Sequence, residues 1–219
     1  MKSWRFHEFG DIRNLRLEDV PVPKPAPGEA LIRLEYAALN PADAFLVKGQ
    51  YPRAGTPPFS VGRDGCGVIE KASSPTGAPE GTRVVILRGD IGVTRDGTLA
   101  EYVTVPEQAL AVLPKGWTPQ QGAAAPLVFL TAWQALVDVG ELREGQSVLV
   151  TGASGGVGTA AVLLAKAFGC RVVALSRSEA KRERLRKLGA DVVLDSEDPD
   201  LVKNARETLA AVKTKVEEL

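Results

Sequence analysis

The sequence predicts an α/β protein in which a β-rich N-terminal part precedes a parallel sheet with crossover helices. Three observations support this prediction. Short apolar runs between proline- and glycine-rich turns fill most of residues 1–115, which is typical of a sandwich or a partly open barrel. Strand-like and helix-like segments alternate from Ser147 to Asp195, as in βαβ units. The turn after the first of these later strands is rich in glycine.

The N-terminal part contains one candidate helix, Ala42–Lys48, among several candidate strands. Turn sequences such as PVPKPAPGE and SPTGAPEG separate the strands. The strand candidates are Trp4–Phe9, Leu15–Val20, Ala30–Tyr36, Gly67–Lys71, Arg83–Leu87 and Leu99–Val105. We therefore expect a first domain over residues 1–115, a hinge at Pro114–Gly116 and a second domain over residues 116–219.

Two helices are expected to connect these domains. Thr118 is a suitable N-cap, with Pro119 in the first helical position. A second helix is expected over Pro126–Gly140. The β/α segments that follow are Ser147–Thr151 (strand), Thr159–Phe168 (buried helix), Arg171–Leu175 (strand), Glu179–Leu188 (amphipathic helix) and Asp191–Leu194 (strand).

The glycine-rich turn matches the dinucleotide fingerprint, with Ala153 in the first glycine position and Gly152 before it. Gly155 would let the backbone approach a pyrophosphate, and Gly158 would let the helix pack closely on the strand. The helix N-terminus would face the phosphate charge. The alternative is a purely structural turn. The candidate cofactor-binding residues here are Ser154, Gly155, Gly156, Val157 and Gly158.

The end of the second strand indicates which dinucleotide is bound. NAD sites place a carboxylate there, whereas NADP sites place an Arg near the 2′-phosphate. This chain has Ser176 and Arg177, with Lys181 one turn later and no carboxylate before Glu179. The pattern favours NADP(H). The alternative is that Arg177 is only a solvated surface charge.

Composition excludes several function classes. Lys and Arg balance Asp and Glu at zero net charge, and no basic block points to nucleic acid. No apolar run is long enough to span a membrane. The N-terminal MKSWRFHEFG lacks the apolar core of a secretory signal, and two scattered cysteines do not form a disulfide framework. A cytoplasmic location is therefore expected.

Several stretches in family order carry a resemblance that covers residues 1 to about 200. They include AALNPADAFLVKGQYP, VGRDGCGVIE, DGTLAEYVTVP, APLVFLTAWQAL and SVLVTGASGGVGTAAVLLAKAFG. The chain resembles the medium-chain dehydrogenase/reductase superfamily, in its zinc-free quinone oxidoreductase (zeta-crystallin-like) branch. The resemblance implies a GroES-like β-barrel domain, followed by the first half of a Rossmann nucleotide-binding domain, with the active cleft between them. It implies an NADPH-dependent, metal-free oxidoreductase that transfers hydride to a small quinone or enone.

The resemblance also implies roles for individual residues. Tyr51 and Asn40 would line the cleft near the nicotinamide, where Tyr51 would donate a proton or orient a substrate carbonyl. Thr131 would contact the nicotinamide carboxamide. The alternatives are that Tyr51 packs on Pro52, that Asn40 caps the helix beginning at Pro41, and that Thr131 bonds to its own backbone. Arg63 and Asp64 are expected to form a structural pair without a chemical role.

The ligands of a catalytic zinc are missing from the sequence. The candidates of the softer type are His7, expected on the first strand, Cys66 and Cys170. Where zinc-dependent relatives carry a ligand Cys, this chain has Asn40, and where they carry Gly-His-Glu it has Gly62-Arg63-Asp64. We predict no metal site, and the two cysteines are expected to be small buried residues.

A short-chain dehydrogenase is excluded, although the glycines also match that family. It needs a Tyr-xxx-Lys pair after the glycines. The three tyrosines are Tyr36, Tyr51 and Tyr102, which all precede them.

The C-terminal segment departs from the resemblance, which implies a chain truncated after the first half of the nucleotide-binding domain. Pro199–Leu219 is expected to be one amphipathic helix whose apolar stripe covers the sheet; the stripe comprises Val202, Ala205, Leu209, Val212, Val216 and Leu219. Ser147–Thr151 would then be an unprotected edge strand, so self-association is expected. A rival functional hypothesis is a catalytically silent relative that binds nucleotide or associates with another chain.

Overall fold

The computed structural model describes residues 1–72 and 77–216, with residues 209–216 described by their backbone alone. The chain folds into two compact units, Met1–Leu127 and Val128–Leu219. Each unit is described by itself. The domain limits expected from the sequence, 1–115 and 116–219, stay a prediction.

The first unit is built from antiparallel strands in two sheets. One sheet has the order β7-β3-β5-β6-β8 and the other the order β2-β1-β4. The helices of this unit are α1 (Pro41–Val47) and α2 (Pro119–Ala124). The strands are β1 (Lys2–Phe6), β2 (Arg16–Asp19), β3 (Glu29–Ala38), β4 (Phe59–Ser60), β5 (Asp64–Ala72), β6 (Arg83–Ile86), β7 (Tyr102–Pro106) and β8 (Leu110–Val112).

Alternating apolar side chains explain why the strands β3, β5 and β7 share a core. In β7 the buried residues are Val103 and Val105, and Ile32 of β3 and Ile69 of β5 join them in a single cluster. Successive strand residues point to opposite faces of a sheet, so this alternation fixes which face is buried.

The first unit departs from the sequence predictions in two respects. β1 ends at Phe6, so His7 lies outside the strand on which it was expected. The chain bends at residues 7–10, where Gly10 has a φ of +143°. The strands β4 and β8 were not predicted, because two or three residues are too few to show an apolar alternation.

The second unit contains a parallel sheet with the order β11-β10-β9 among the described residues. This arrangement confirms the predicted strand–helix–strand–helix–strand pattern. The strands are β9 (Ser147–Val150), β10 (Arg171–Leu175) and β11 (Val192–Leu194), and the helices are α3 (Pro126–Trp133, which starts at the end of the first unit), α4 (Gly156–Ala167), α5 (Glu179–Lys187) and α6 (Leu201–Val216). A π-helical turn, Gln134–Val139, continues α3, so the expected helix over Pro126–Gly140 is α-helical only in its first half.

The strand β9 lies at one edge of this described sheet, as expected. Its Leu149 side chain is 45% exposed. The buried core of the unit instead gathers residues from β9, β10, α4 and α5, such as Val150, Val172, Val162 and Leu185.

The C-terminal stripe was only partly predicted. Helix α6 is present, but Val202 is 64% exposed, so this residue does not cover the sheet as expected. The side chains of Leu209, Val212 and Val216, and the whole of Leu219, lie outside the described residues. Within the described part of the chain, no helix is both long enough and apolar enough to cross a membrane.

Candidate functional site

The glycines of the turn between β9 and α4 differ in how closely the surrounding backbone packs against them. A Cβ on Gly158 would lie 2.4 Å from the carbonyl oxygen of Gly152 and 2.6 Å from Cα of Ala153. The start of α4 therefore packs on the glycine-rich segment so closely that only glycine fits at position 158. A Cβ on Gly155 would meet only the Gly152 oxygen, at 3.4 Å. The packing of the protein does not require glycine at Gly155, which leaves room for a ligand to approach this backbone.

A cavity of about 360 Å³ opens beside this turn. It lies where β9, β10 and β11 reach their carboxyl ends, which is the usual ligand position in open α/β sheets. Five predicted cofactor residues line it together: Ser154, Gly155, Ser176, Arg177 and Lys181. Four lining residues were not predicted: Gly152, Leu175, Ser178 and Ser196.

The other predicted cofactor residues lie outside this cavity lining. Gly156, Val157 and Gly158 form the first turn of α4, and Val157 is 39% exposed. Thr131 is an exposed residue of α3. Their roles toward a cofactor stay predictions.

The cavity floor and the following turn are held by specific contacts. The hydroxyl of Ser176, which is buried, lies 3.3 Å from the hydroxyl of Ser154 and donates a hydrogen bond to it. Arg182 donates hydrogen bonds to the carbonyl oxygens of Ser176 and Arg177, at 2.9 and 2.8 Å, and pairs with Asp195 at 2.7 Å. Arg182 therefore links the backbone at Ser176 and Arg177 to Asp195, the residue that follows β11.

A carboxylate that the sequence pattern did not reveal lies beside Arg177. Glu197 places an oxygen 3.6 Å from the Arg177 guanidinium, and both side chains are mostly exposed. The sequence prediction considered carboxylates only up to Glu179, because it followed the chain after β10. Glu197 reaches the site from the segment after β11, as does Ser196. A search of the residues after every parallel strand would have found both.

The residues around the cavity fit a phosphorylated dinucleotide. Arg177 and Lys181 supply positive charge, while Ser154, Ser176 and Ser178 supply hydroxyl groups. Gly155, which begins α4 as its N-cap, leaves space for a pyrophosphate at a helix N-terminus. These groups can bind phosphate by charge-assisted hydrogen bonds.

The first unit holds the predicted catalytic residue Tyr51. Its ring packs against the cluster that contains Phe6 and Leu46. Its hydroxyl accepts a hydrogen bond from the guanidinium of Arg63, whose central carbon lies 5.3 Å from the ring centroid. Tyr51 is thus anchored by both apolar packing and a cation.

The other predicted catalytic residue, Asn40, is the N-cap of α1. Its backbone N–H donates to Asp43 at 2.8 Å, which supports the expected capping position. Its side-chain amide nevertheless donates to Asp64, with 2.9 Å between Nδ2 and Oδ2. The other oxygen of Asp64 accepts the backbone N–H of Leu127 at 3.0 Å.

Asp64 is a buried carboxylate with an altered titration. Burial raises its pKa to about 6, although the hydrogen bonds from Asn40 and Leu127 act in the opposite direction. Arg63 and Asp64, predicted to be a structural pair, have separate hydrogen-bond partners, because Arg63 donates to Tyr51 while Asp64 accepts from Asn40 and Leu127. The nearby Arg63 charge nevertheless lowers the pKa of Asp64 in opposition to burial. Arg63 lies at a bend immediately before β5, and Asp64 begins that strand.

The soft metal-ligand candidates have other surroundings. His7 lies 2.7 Å from Glu18, and Cys66 is fully buried, which raises the pKa of its thiol to about 11. The thiol of Cys170, in the second unit, lies 3.2 Å from the carbonyl oxygen of Arg143. Across residues 1–72 and 77–216, no group of three or more His, Cys, Asp or Glu side chains is arranged to hold a metal ion. The residues present do not fit a zinc site.

Comparisons with known proteins agree with this architecture. Residues 26–115 match the alcohol dehydrogenase GroES-like domain, and residues 156–216 match the family described as zinc-binding dehydrogenase. The 2-methylene-furan-3-one reductase of Solanum lycopersicum is 38% identical in an alignment of 205 residues that covers 89% of this chain and 52% of that protein. The chain spans about half to three fifths of the length of the curated relatives it matches.

Solved structures extend the comparison. An NAD-dependent alcohol dehydrogenase is 37% identical, with a TM-score of 0.88 and coverage of 96% of this chain and 68% of that one. The quinone oxidoreductase of Thermus thermophilus, solved also with NADPH, is 35% identical, with a TM-score of 0.80 and coverage of 94% and 63%. Together with the β-rich unit and the parallel sheet with its glycine-rich turn, these matches show that the chain belongs to the medium-chain dehydrogenase/reductase superfamily.

Proposed function

We propose that this protein transfers a hydride from NADPH to a quinone or to the β-carbon of an activated enone, without a metal ion. The observation that carries the proposal is the cavity at the carboxyl ends of the parallel strands, where Ser176, Arg177 and Lys181 meet the open backbone at Gly155. Bound NADPH supplies a hydride, which is a proton with two electrons, and leaves as NADP⁺. The similar proteins named above include an enone-type furanone reductase and a quinone oxidoreductase solved with NADPH.

The preference for NADPH over NADH rests on the charges at the cavity rim. Arg177 and Lys181 can meet a 2′-phosphate, whereas Glu197 offsets part of this charge. An exposed ion pair is worth about 0–1 kcal/mol, and a dianionic phosphate makes stronger charge-assisted bonds. We therefore expect the phosphate to replace Glu197 as the partner of Arg177.

The chain's own residues would handle the proton. The Tyr51 hydroxyl accepts from Arg63, so its own proton is available for a substrate oxygen. A hydroxyl that donates to the carbonyl oxygen favours the negative charge that develops there as hydride reaches carbon. Asn40 would orient the substrate through its amide.

The test is NADPH oxidation, followed at 340 nm with 1,4-benzoquinone and with a small α,β-unsaturated ketone, beside a fluorescence titration with NADPH and NADH. We expect turnover with at least one acceptor and tighter binding of NADPH. Arg177→Ala should reduce NADPH affinity selectively. Arg186→Ala is the matched control, because Arg186 lies on α5, the helix that follows Arg177, and pairs with Glu179 and Glu183.

The outcomes separate the rival hypotheses. NADPH binding without turnover would favour the catalytically silent relative. Equal affinity for NADPH and NADH, unchanged in Arg177→Ala, would refute the assigned role of Arg177.

A further inference from the structure

Two neighbouring residues, Arg63 and Asp64, each contact one of the two predicted catalytic residues. Arg63 donates to the hydroxyl of Tyr51, and Asp64 accepts from the side-chain amide of Asn40. The contacts connect positions that are 12 and 24 residues apart in the chain. One dipeptide at the start of β5 therefore reaches both residues.

The Arg63 contact determines what the Tyr51 hydroxyl can do. A guanidinium only donates hydrogen bonds, so it must occupy a lone pair of the phenol oxygen. The O–H bond of Tyr51 is then directed elsewhere and remains a donor. The guanidinium also lies over the ring, within the range of a cation–π contact. Two contacts of different kinds therefore restrict the ring and its hydroxyl.

The Asp64 contact similarly determines the orientation of the Asn40 amide. An ionised carboxylate only accepts, so the Nδ2 group of Asn40 faces Asp64 and the amide cannot flip without losing a bond. Asp64 is itself held, because its other oxygen accepts from Leu127 and only 2% of the residue is exposed.

The backbone of the dipeptide is also fixed. The hydroxyl of Thr98 donates to the carbonyl oxygen of Asp64 at 2.8 Å, and the N–H of Thr98 donates to Gly62 at 2.9 Å. Gly62 has a φ of +103°, and a Cβ there would lie 2.6 Å from the Thr98 hydroxyl oxygen. The segment before β5 therefore has little freedom to shift.

We propose that Arg63 and Asp64 are positioning residues for the reaction: Arg63 directs the Tyr51 hydroxyl as a donor toward the substrate oxygen, and Asp64 fixes the orientation of the Asn40 amide. The proposal rests on the proposed function. Neither residue touches the substrate, and each acts through its partner. Precise placement of such groups matters because small displacements of a catalytic group reduce the rate strongly.

The first experiment is a pair of double-mutant cycles on kcat with 1,4-benzoquinone. Arg63→Met should lower kcat about 10- to 100-fold, within the range of a positioned proton donor, but by less than about 2-fold in a Tyr51→Phe background, because the residue it positions is gone. Asp64→Asn should behave in the same way toward Asn40→Ala. Binding of NADPH should remain unchanged in Arg63→Met and Asp64→Asn, because neither residue lines the proposed cofactor cavity.

Arg33→Met is the matched control. Arg33 belongs to the same unit, and its guanidinium lies 3.4 Å from Glu70 in an exposed ion pair. Its replacement should change kcat by less than about 2-fold. If the fold-losses in kcat of Arg63→Met and Tyr51→Phe multiply in the double variant, the inference for Arg63 is overturned. Losses that multiply are additive in free energy, which means that the two residues act independently. The same outcome for Asp64 and Asn40 would overturn the second half.

A second measurement does not depend on activity. In protein labelled at tyrosine Cζ, the Tyr51 ¹³C resonance is identified by its loss in Tyr51→Phe. It should shift in Arg63→Met and stay in place in Arg33→Met. The side-chain amide resonances of Asn40 should likewise shift in Asp64→Asn. Resonances that do not shift would overturn the positioning proposal. If the shifts are present but the wild-type protein shows no turnover, only the proposed function is overturned.

Discussion

Replacing Gly158 by Ala tests whether the glycine-rich turn is held by close packing. The new Cβ would lie 2.4 Å from one backbone atom and 2.6 Å from another, where ordinary contact begins at 3.4 Å. Both opposing atoms are backbone, so relief requires the turn and α4 to separate by about 1 Å. Overpacking of this kind costs about 1–3 kcal/mol, and the contacts here indicate the upper end. The helix preference for Ala over Gly returns about 1 kcal/mol.

The net expectation is a loss of about 2 kcal/mol from the unfolding free energy of the second unit. Trp133 reports on this unit, since its ring packs on Phe168 with 5.7 Å between centroids. The other two tryptophans, Trp4 and Trp117, are exposed members of the first unit and can be replaced by Phe. Urea unfolding followed by fluorescence then measures the second unit.

Gly155→Ala is the matched control for stability and the complementary test of ligand binding. The new Cβ would make one ordinary contact, at 3.4 Å, and Gly155 has a φ of −81°, which Ala adopts without strain. Its unfolding free energy should stay within about 0.5 kcal/mol of the wild type. Its affinity for NADPH should fall, because the methyl group occupies the space through which a pyrophosphate approaches the backbone.

The reasoning fails if Gly158→Ala unfolds at the wild-type urea concentration, since the overlap would then be relieved without cost. It also fails if Gly155→Ala binds NADPH with wild-type affinity. That result would place the pyrophosphate away from this turn.

The remaining predictions concern metal, pH and association. Protein purified without chelators should contain no stoichiometric zinc by elemental analysis; about one zinc per chain that disappears in Cys66→Ser would contradict this. Burial raises the pKa of Asp64 from 3.8 to about 6, so the folded state holds this proton more tightly than the unfolded state. The stabilisation that this proton gives to the folded state is complete below about pH 4 and is lost as the pH rises through 6. The unfolding free energy of the wild type, relative to that of Asp64→Asn, should therefore fall over this range by up to about 3 kcal/mol. A difference that stays constant with pH would refute the raised pKa. Finally, light scattering should show that the protein associates as its concentration rises. Leu149→Lys should reduce this association, because it places a charge on the exposed edge strand. A wild-type protein that is monomeric at every concentration would refute this prediction.

Features that depend on local periodicity could be predicted from the sequence. Strand β10 coincides with the predicted Arg171–Leu175, and α5 ends one residue before the predicted end at Leu188. The Thr118 cap is also confirmed, with its hydroxyl accepting the Gln121 N–H at 3.3 Å. In each case the residues that determine the structure lie within one or two turns of each other.

Features that depend on contacts distant in sequence could not be predicted in this way. Glu197 approaches Arg177 only because β10 and β11 are adjacent parallel strands, so their following segments meet. The partners of Arg63 and Asp64 depend on how the segments around Tyr51 and Asn40 pack on the start of β5. The sequence predicted a structural pair but did not reveal that each residue has its own hydrogen-bond partner.

The burial of the Asp64 carboxylate lowers the stability of the fold at neutral pH. A buried carboxylate with a raised pKa is less stable in its charged form than an exposed one, so at neutral pH Asp64 weakens the fold through its burial. The two hydrogen bonds it accepts offset only part of that penalty, because they lower the pKa less than burial raises it. A well-packed apolar residue would avoid this cost. Residues that break a local rule of stability are concentrated at functional sites, and Asp64 lies one hydrogen bond from Asn40. Its placement is therefore better explained by control of the Asn40 amide than by stabilisation of the barrel.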